Sequence, residues 1–198
     1  EHSIEKKQEE TLRLVWVGRI DFRKGLDLLL ESLKGLDLKN WHLDIIGDGE
    51  LKQTIQEKYS SHFSSKQIKW HGQVSREEAI NIISSAHLHL LTSLGEGNTT
   101  VVWEAMEYSI PTLSLDHCGM KDTICNKCGV KIPVHLSYKE TIKKIREEIH
   151  HLIENPDLIK KLSKGVIECR KQYIWEKRKS FFNQAYNLAI DNFNKKCK

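Results

Sequence analysis

Short apolar runs rich in β-branched residues alternate along the chain with longer segments in which apolar side chains recur every three or four positions. The short runs predict buried strands, and the longer segments predict amphipathic helices. Six strands are predicted, at residues 12–18, 42–47, 68–72, 87–93, 111–116 and 130–134. Helices are predicted between the first five strands, at residues 24–34, about 50–58, 75–85 and 99–108. This alternation is typical of an α/β fold with a parallel sheet.

The pattern changes after residue 134, where three helices are predicted with no strand between them, at residues 138–153, 156–168 and 175–193. The sequence has no internal repeat and no linker long enough to separate two domains. We therefore predict a Rossmann-like, doubly wound parallel sheet of about six strands with a C-terminal helical tail. A chain of 198 residues suffices for one such domain, so residues 1–198 are predicted to form a single domain.

Composition and charge are those of a globular domain, with 39% hydrophobic and 29% charged residues. The net charge of +4 favours an anionic ligand, but the excess is small and no recognisable nucleic-acid module is present, so no nucleic acid is expected as a partner. No apolar run is long enough to span a bilayer, and the polar N-terminal segment is unlike an export signal. With an odd count of five cysteines, these features predict a cytoplasmic location.

The loop after the first strand is rich in cations. In an open α/β sheet, ligands bind beyond the carboxyl ends of the strands, where the strand order reverses. With the order 3-2-1-4-5-6, that point lies between the loops after strands one and four. The first of these loops, GRIDFRKG at residues 18–25, contains Arg19, Arg23 and Lys24. Such cations, together with helix-terminal amides, suit a diphosphate, although a solvated helix start with surface cations fits the same residues.

The loop after the fourth strand, SLGEGNTTVVWE at residues 93–104, carries two carboxylates. A glycine-flanked turn holds Glu96, and the helix that follows is capped by Asn98 or Thr99 and contains Glu104. Carboxylates so placed suit bonds to sugar hydroxyls, because one carboxylate accepts from two vicinal hydroxyl groups. A capping glutamate and a helix-surface glutamate are the alternative interpretation of the same spacing.

The stretch from Glu96 to Glu104 resembles the E-x7-E motif of the GT-B glycosyltransferases of the large retaining family 4. The likeness continues, in the family's order and spacing, in VGRID-RKG (17–25), IIGDGEL (45–51), HGQVSREE (71–78) and IWEK (174–177). The resemblance implies that the chain is the C-terminal, nucleotide-sugar-binding half of such an enzyme, with the N-terminal acceptor domain outside the chain. The family's usual E-G-F-G is here EGNT, so these residues do not assign the sugar.

The resemblance also implies roles for individual residues. Arg19 and Lys24 would hold the donor diphosphate and stabilise the departing nucleotide, and Glu96 would lie close to the transferred sugar; these three are the candidate catalytic residues. Glu104 would bind the ribose hydroxyls. The other candidate donor-binding residues, several of them through their backbone, are Gly18, Gly72, Gln73, Val74, Gly97, Asn98, Thr99, Thr100 and Val101.

The function expected from the resemblance is transfer of a hexose from a nucleotide sugar, UDP-hexose by family frequency, to a glycan or lipid-linked acceptor in polysaccharide or glycoconjugate synthesis. The family's chemistry is metal-independent, which fits the lack of an Asp-x-Asp motif, so neither a cofactor nor a metal is expected. This chain alone is expected to be inactive or weakly active. A GT-B-like UDP-sugar epimerase and a non-catalytic nucleotide-sugar-binding module remain open as alternatives.

A zinc site is a further alternative for one loop. His117, Cys118, Cys125 and Cys128 lie close together in the sequence, and the last two have C-x2-C spacing. One such pair with two irregular outliers is weak evidence, and a loop with three reduced cysteines is the simpler interpretation. No metal ligand is therefore predicted.

Three other groups of residues are given structural roles. His87 and His89 are predicted to lie in the sheet, and Trp103 is predicted to lie in the core. The basic tail is predicted to be a solvated helix face, with contact to anionic lipid headgroups at the inner face of the membrane as a secondary interpretation. Its residues are Lys171, Lys177, Arg178, Lys179, Lys195 and Lys196.

Overall fold

A computed structural model describes residues 11–36, 40–97, 100–134 and 136–196 of the chain. The strands are β1 (Leu12–Val17), β2 (Trp41–Ile46), β3 (Ile68–Gly72), β4 (Leu88–Leu91), β5 (Thr112–Leu115) and β6 (Gly129–Ile132). They form one parallel sheet in the order β3-β2-β1-β4-β5-β6. The predicted doubly wound sheet is confirmed, and the order reverses between β1 and β4, where the crevice was placed.

The described residues form eight α-helices. They are α1 (Leu26–Leu33), α2 (Lys52–Tyr59), α3 (Arg76–Ser85), α4 (Thr100–Glu107), α5 (Cys118–Thr123), α6 (Tyr138–Glu154), α7 (Pro156–Arg170) and α8 (Trp175–Lys196). The short α5 follows β5 and was not predicted, because its sequence CGMKDT has no clear apolar period. The helical tail predicted after the last strand is present as α6, α7 and α8.

The helix predicted over 24–34 begins later, at Leu26. Phe22–Lys24 form a separate 3₁₀ turn, in which the Asp21 carboxylate accepts a hydrogen bond from the backbone N–H of Lys24 at 3.0 Å. Gly25 ends the turn in the left-handed conformation, with φ of 65°. A side chain there would overlap the carbonyl group of Thr92, so a glycine is needed between the turn and α1.

Both faces of the sheet are buried, because successive residues of a strand point to opposite sides. On one face, Leu14 and Trp16 of β1 belong to a core that includes apolar residues of α1 and α6. On the other face, Val15 packs in a cluster with Ile83 of α3 and Ala105 of α4. This coverage explains why the strands are almost continuously apolar in sequence.

Two side chains with predicted structural roles, those of His89 and Trp103, differ in their burial. His89 is fully buried in the sheet, where its Nδ1 lies 3.1 Å from Thr112 Oγ1. Trp103 is only half-buried and packs edge-to-face on Tyr173, so its prediction as a core residue is corrected: it lies at the margin of an apolar cluster. Tyr173, which it contacts, belongs to the connection between α7 and α8.

The basic tail lies largely on α8, whose described side chains are almost all exposed. Arg178 is half-buried instead, with its guanidinium 5.6 Å from the ring of Tyr173. Large apolar side chains of α8, such as Trp175 and Tyr186, are exposed as well. Among the described residues, no helix is long and apolar enough to cross a membrane.

Candidate functional site

The loops after β1 and β4 are joined directly at the carboxyl edge of the sheet. The hydroxyl of Thr92 donates to the carbonyl of Gly25 at 2.8 Å, and the N–H of Leu94 donates to the carbonyl of Arg23 at 2.7 Å. Thr92 and Ser93 were predicted to continue the fourth strand, but the strand ends at Leu91 because Thr92 turns toward the other loop. The two loops therefore form the walls of one crevice.

Lys24 and Glu96 form an ion pair across this crevice. Their side chains are 17% and 9% exposed, so both charges are mostly removed from water. The stem of Lys24 lies against Gly18, which leaves no side chain between them. The structure thus brings together two of the three candidate catalytic residues, from loops 72 positions apart in sequence.

Arg19, the third candidate, lies at the mouth of the crevice with 67% of its side chain exposed. Its guanidinium donates to Glu50 at 3.0 Å and lies 3.9 Å from Asp21. The backbone N–H of Glu50 and the guanidinium of Arg19 hold the pKa of Glu50 below its ordinary value. Because this pair is exposed, the guanidinium can exchange its carboxylate partner for another anion at little cost.

The loops after β2 and β3 lie beside the first loop through close backbone contacts. The N–H of Gly18 donates to Ile46 at 3.0 Å, and the N–H of Gly47 donates to Gly72 at 2.8 Å. Gly47 has φ of 132°, and a side chain on it would overlap the carbonyl of Gly18. This packing places residues 72–74 at the same edge, and the family resemblance implies that this candidate base-binding segment holds the nucleotide base. Gln73 is exposed, and Val74 packs against the sheet.

Helix α4 carries Glu104 toward that segment. Its Oε1 lies 3.5 Å from the guanidinium of Arg76, the first residue of α3, and its side chain is 26% exposed. Val101 and Val74 belong to the same apolar cluster, so α4 and the segment before α3 lie against each other. Glu104 therefore faces the space beside the candidate base-binding segment.

The connection after β5 contacts the loop that holds Glu96. The N–H of Gly119 donates to the carbonyl of Glu96 at 3.0 Å, and a side chain on Gly119 would overlap Gly97. His117 Nε2 lies 2.9 Å from the carbonyl oxygen of Ser93. Gly97 and Thr100 are exposed on either side of Asn98 and Thr99. Asn98 and Thr99, two of the candidate donor-binding residues, lie outside the described residues.

Sequence reasoning missed the charged partners of the site. Glu50 lies in the IIGDGEL motif and Arg76 in the HGQVSREE motif, so the motifs contained them without indicating their partners. Arg19 and Glu50 are 31 positions apart, so no local sequence pattern indicates that they are in contact. With these partners included, the crevice offers cations near its first loop and carboxylates on its second, a set that suits an anionic ligand bearing hydroxyl groups.

The described residues contain one group of three close potential metal ligands, and it lies outside both crevice loops. It consists of Cys125, Cys128 and Cys169. His117 and Cys118, which the zinc alternative included, are not members; His117 Nδ1 lies 3.0 Å from the Cys118 sulfur instead. The four-residue zinc site considered from sequence is therefore not the arrangement found.

Comparison with known proteins identifies the family. Residues 1–168 match the family described as glycosyl transferases group 1. Over 177 residues the chain is 26% identical to an uncharacterized glycosyltransferase, MJ1178, of Methanocaldococcus jannaschii, covering 89% of this chain and 48% of that protein. It is 31% identical over 114 residues to the amylovoran biosynthesis glycosyltransferase AmsD of Erwinia amylovora, covering 52% and 29%. The chain spans about half the length of the first relative and less of the second.

Solved structures show the same fold. The pneumococcal O-GlcNAc transferase GtfA, in complex with UDP and GlcNAc, superposes with a TM-score of 0.76 at 16% identity, covering 91% of this chain and 36% of that one. The C-terminal domain of a glycosyl transferase group 1 protein, LpcC, from Francisella tularensis superposes with a TM-score of 0.70 at 18% identity, covering 83% and 87%. The fold is thus that of a GT-B C-terminal domain, and the chain belongs to the group 1 glycosyltransferases.

Proposed function

We propose that this chain is the donor-binding half of a retaining glycosyltransferase that moves a hexose from a UDP-sugar to a glycan or lipid-linked acceptor. The observation that carries the proposal is the crevice between β1 and β4, where Lys24 and Glu96 are paired and Arg19 lies at the mouth. Two fold relatives support UDP as the nucleotide: GtfA was solved with UDP and GlcNAc, and Anabaena HepE with UDP and glucose. The relative named for amylovoran biosynthesis supports a glycan acceptor.

The cations would act on the diphosphate. As the bond between sugar and diphosphate breaks, negative charge grows on the leaving group, and Arg19 and Lys24 would neutralise it where that charge develops. Lys24 is positioned for this in advance, because Asp21 caps its turn and its ammonium group already faces the crevice. Its ion pair with Glu96 would be shared with the phosphate when the donor is bound.

The carboxylates would act on hydroxyl groups. Glu96 is fixed on its loop by the N–H of Gly119 and would accept from a hydroxyl of the transferred sugar. Glu104 would accept from the ribose, since it faces the space beside Gly72–Val74 and is only partly exposed.

The proposal includes a cytoplasmic location. It also includes contact of the basic tail with anionic lipid headgroups.

A thermal-shift panel of UDP-, GDP-, ADP- and dTDP-sugars tests the proposal. A ligand that binds only the folded state stabilises it by about 2.7 kcal/mol at a hundredfold excess over Kd. We expect the UDP-sugar to give the largest rise in melting temperature, and Lys24→Ala to remove that rise relative to its own ligand-free value. Lys161→Ala, on the exposed side of α7, is the matched control and should retain it. No shift with any nucleotide sugar would contradict the proposal.

A further inference from the structure

Three cysteines from two separate parts of the chain meet behind the crevice. Cys125 and Cys128 bracket the turn between α5 and β6, and Cys169 lies in the last turn of α7. The sulfur of Cys125 lies 3.5 Å from that of Cys128 and 3.2 Å from that of Cys169. All three sulfurs lie within 4.8 Å of one another, and all three are free thiols. Only the first two form a motif in sequence; the third lies 44 positions from Cys125.

The turn between the first two cysteines directs peptide N–H groups at their sulfurs. The N–H groups of Cys128 and Gly129 both donate to the carbonyl of Cys125 at 3.0 Å, which closes the turn. The N–H groups of Lys127 and Cys128 lie near the sulfur of Cys125. The N–H of Cys125 in turn donates to the sulfur of Cys128 at 3.3 Å. Such donors favour negatively charged sulfur ligands and fix their direction.

Helix α7 reaches this turn because Gly165 has no side chain. A Cβ at residue 165 would overlap the carbonyl group of Lys127, so the helix backbone lies directly on the turn. Cys169 follows one helical turn later on the same face, which points its sulfur at the same place. The approach that the glycine permits thus completes the three-sulfur group.

Two of the three sulfur-bearing residues are shielded from water. Cys128 is 1% exposed and Cys169 is 6% exposed. They share an apolar cluster with Met120, Ile124 and Val166, and the cluster extends to the inner face of α4. Cys125 is half-buried at the margin of the cluster, so the group is reachable from one side.

We propose that Cys125, Cys128 and Cys169 bind one thiophilic metal ion, Zn²⁺ among the abundant divalent ions, through three thiolates. With Zn–S bonds of about 2.3 Å, tetrahedral geometry places sulfurs about 3.8 Å apart. The observed separations of 3.2 and 3.5 Å reach this value by movements of a few tenths of an ångström. No other described His, Cys, Asp or Glu belongs to the group. Water would therefore take the fourth position, because the group is reachable on the side of half-buried Cys125. The three thiol protons leave to solvent on binding.

The ion would fasten the end of α7 to the start of β6, beneath α4. It would stabilise the fold rather than take part in sugar transfer, because none of the three ligands lies on a crevice loop. Binding to the folded state alone raises stability as the free ion concentration exceeds its Kd. Donor binding at the crevice is a separate property, so either proposal can fail without the other.

Titration of the metal-free, reduced chain with Co²⁺, followed by displacement with Zn²⁺, tests this proposal. Thiolate coordination gives Co²⁺ a sulfur-to-metal charge-transfer band, and tetrahedral geometry gives intense visible bands. We expect one Co²⁺ per chain, displaced by one Zn²⁺, with a rise in melting temperature. Cys169→Ser should weaken Zn²⁺ binding at least about 100-fold, because loss of even a second-shell partner costs 10–100-fold.

Cys118→Ser provides the matched control, since Cys118 is exposed and outside the group. It should bind both ions as the unaltered chain does. If Cys169→Ser fails to fold, as judged by circular dichroism, Cys125→Ser at the half-exposed position takes its place. Binding that survives loss of a group cysteine, or that falls equally in Cys118→Ser, would overturn the proposal. Freshly reduced protein that binds no Co²⁺ would overturn it as well.

Discussion

The Lys24–Glu96 ion pair should couple the two crevice loops energetically, and removing either member should destabilise the chain. Both side chains are less than one-fifth exposed, at 17% and 9%. Two charges about 4 Å apart attract by about 4 kcal/mol at an effective dielectric constant of about 20, and desolvation offsets part of this. We expect a net coupling free energy of about 1–3 kcal/mol between the two residues.

A double-mutant cycle measures this coupling. Lys24→Met and Glu96→Gln keep most of each side chain's volume, and urea unfolding followed by circular dichroism gives the free energy of unfolding for each variant. Because the pair is largely buried, most of the coupling should persist at about 1 M salt, where screening acts within about 3 Å. The combined variant should be less destabilised than the sum of the two single changes.

The exposed Arg19–Glu50 pair is the matched control for this cycle. Its side chains are 67% and 58% exposed, so the same cycle should give a much smaller coupling that salt removes. A coupling for Lys24 and Glu96 no larger than that of the control would refute the reasoning. It would mean that the contact between the crevice loops is maintained by their backbone hydrogen bonds alone.

Three further outcomes follow from single residues. Burial lowers the pKa of His89 to about 3, whereas an unfolded histidine titrates near 6.5. The free energy of unfolding should therefore fall by about 1.4 kcal/mol per pH unit as the pH drops through this range. In His89→Leu the melting temperature should depend less on pH. Gly25→Ala should cost more than about 2 kcal/mol in urea unfolding, from its left-handed backbone and the overlap with Thr92, whereas Gly95→Ala meets nothing within 4 Å and should be nearly neutral. Glu104→Ala should weaken UDP binding by about 1.5–3 kcal/mol in calorimetry and Glu104→Gln by less; no loss with Ala would exclude the ribose role.

The fold could be predicted from the sequence because the patterns that indicate its elements are local. Apolar runs of a few residues predicted each strand. Ser75 followed three residues later by Glu78 is a capping pattern, and the Ser75 hydroxyl does accept from the Glu78 N–H at the start of α3. The parallel α/β pattern then favoured few strand orders. Element ends were less accessible: the start of α1 depends on a contact between Gly25 and Thr92 that joins two distant loops.

The sequence predicted which residues belong to the site, but not which of them are in contact. The motifs predicted which loops carry the chemistry, but not that Lys24 is paired with Glu96 or that Arg76 approaches Glu104. Ion pairs between distant segments leave no periodic trace in a sequence. The thiol group illustrates the same limit: the C-x2-C pair was noted, yet its third member, Cys169, is brought in by the packing of a helix that only the fold reveals.

The central claim is that the crevice cations bind a diphosphate, and paired calorimetric titrations with UDP and uridine test it most directly. Arg19→Ala and Lys24→Ala should each weaken UDP binding much more than uridine binding, because only UDP places negative charge beside them, and Lys24→Ala leaves Glu96 facing the phosphates. Lys161→Ala should change neither affinity. UDP affinity should fall as salt rises, and less steeply in the two variants. Equal losses for UDP and uridine would contradict the claim and assign these residues to the nucleoside or to the fold.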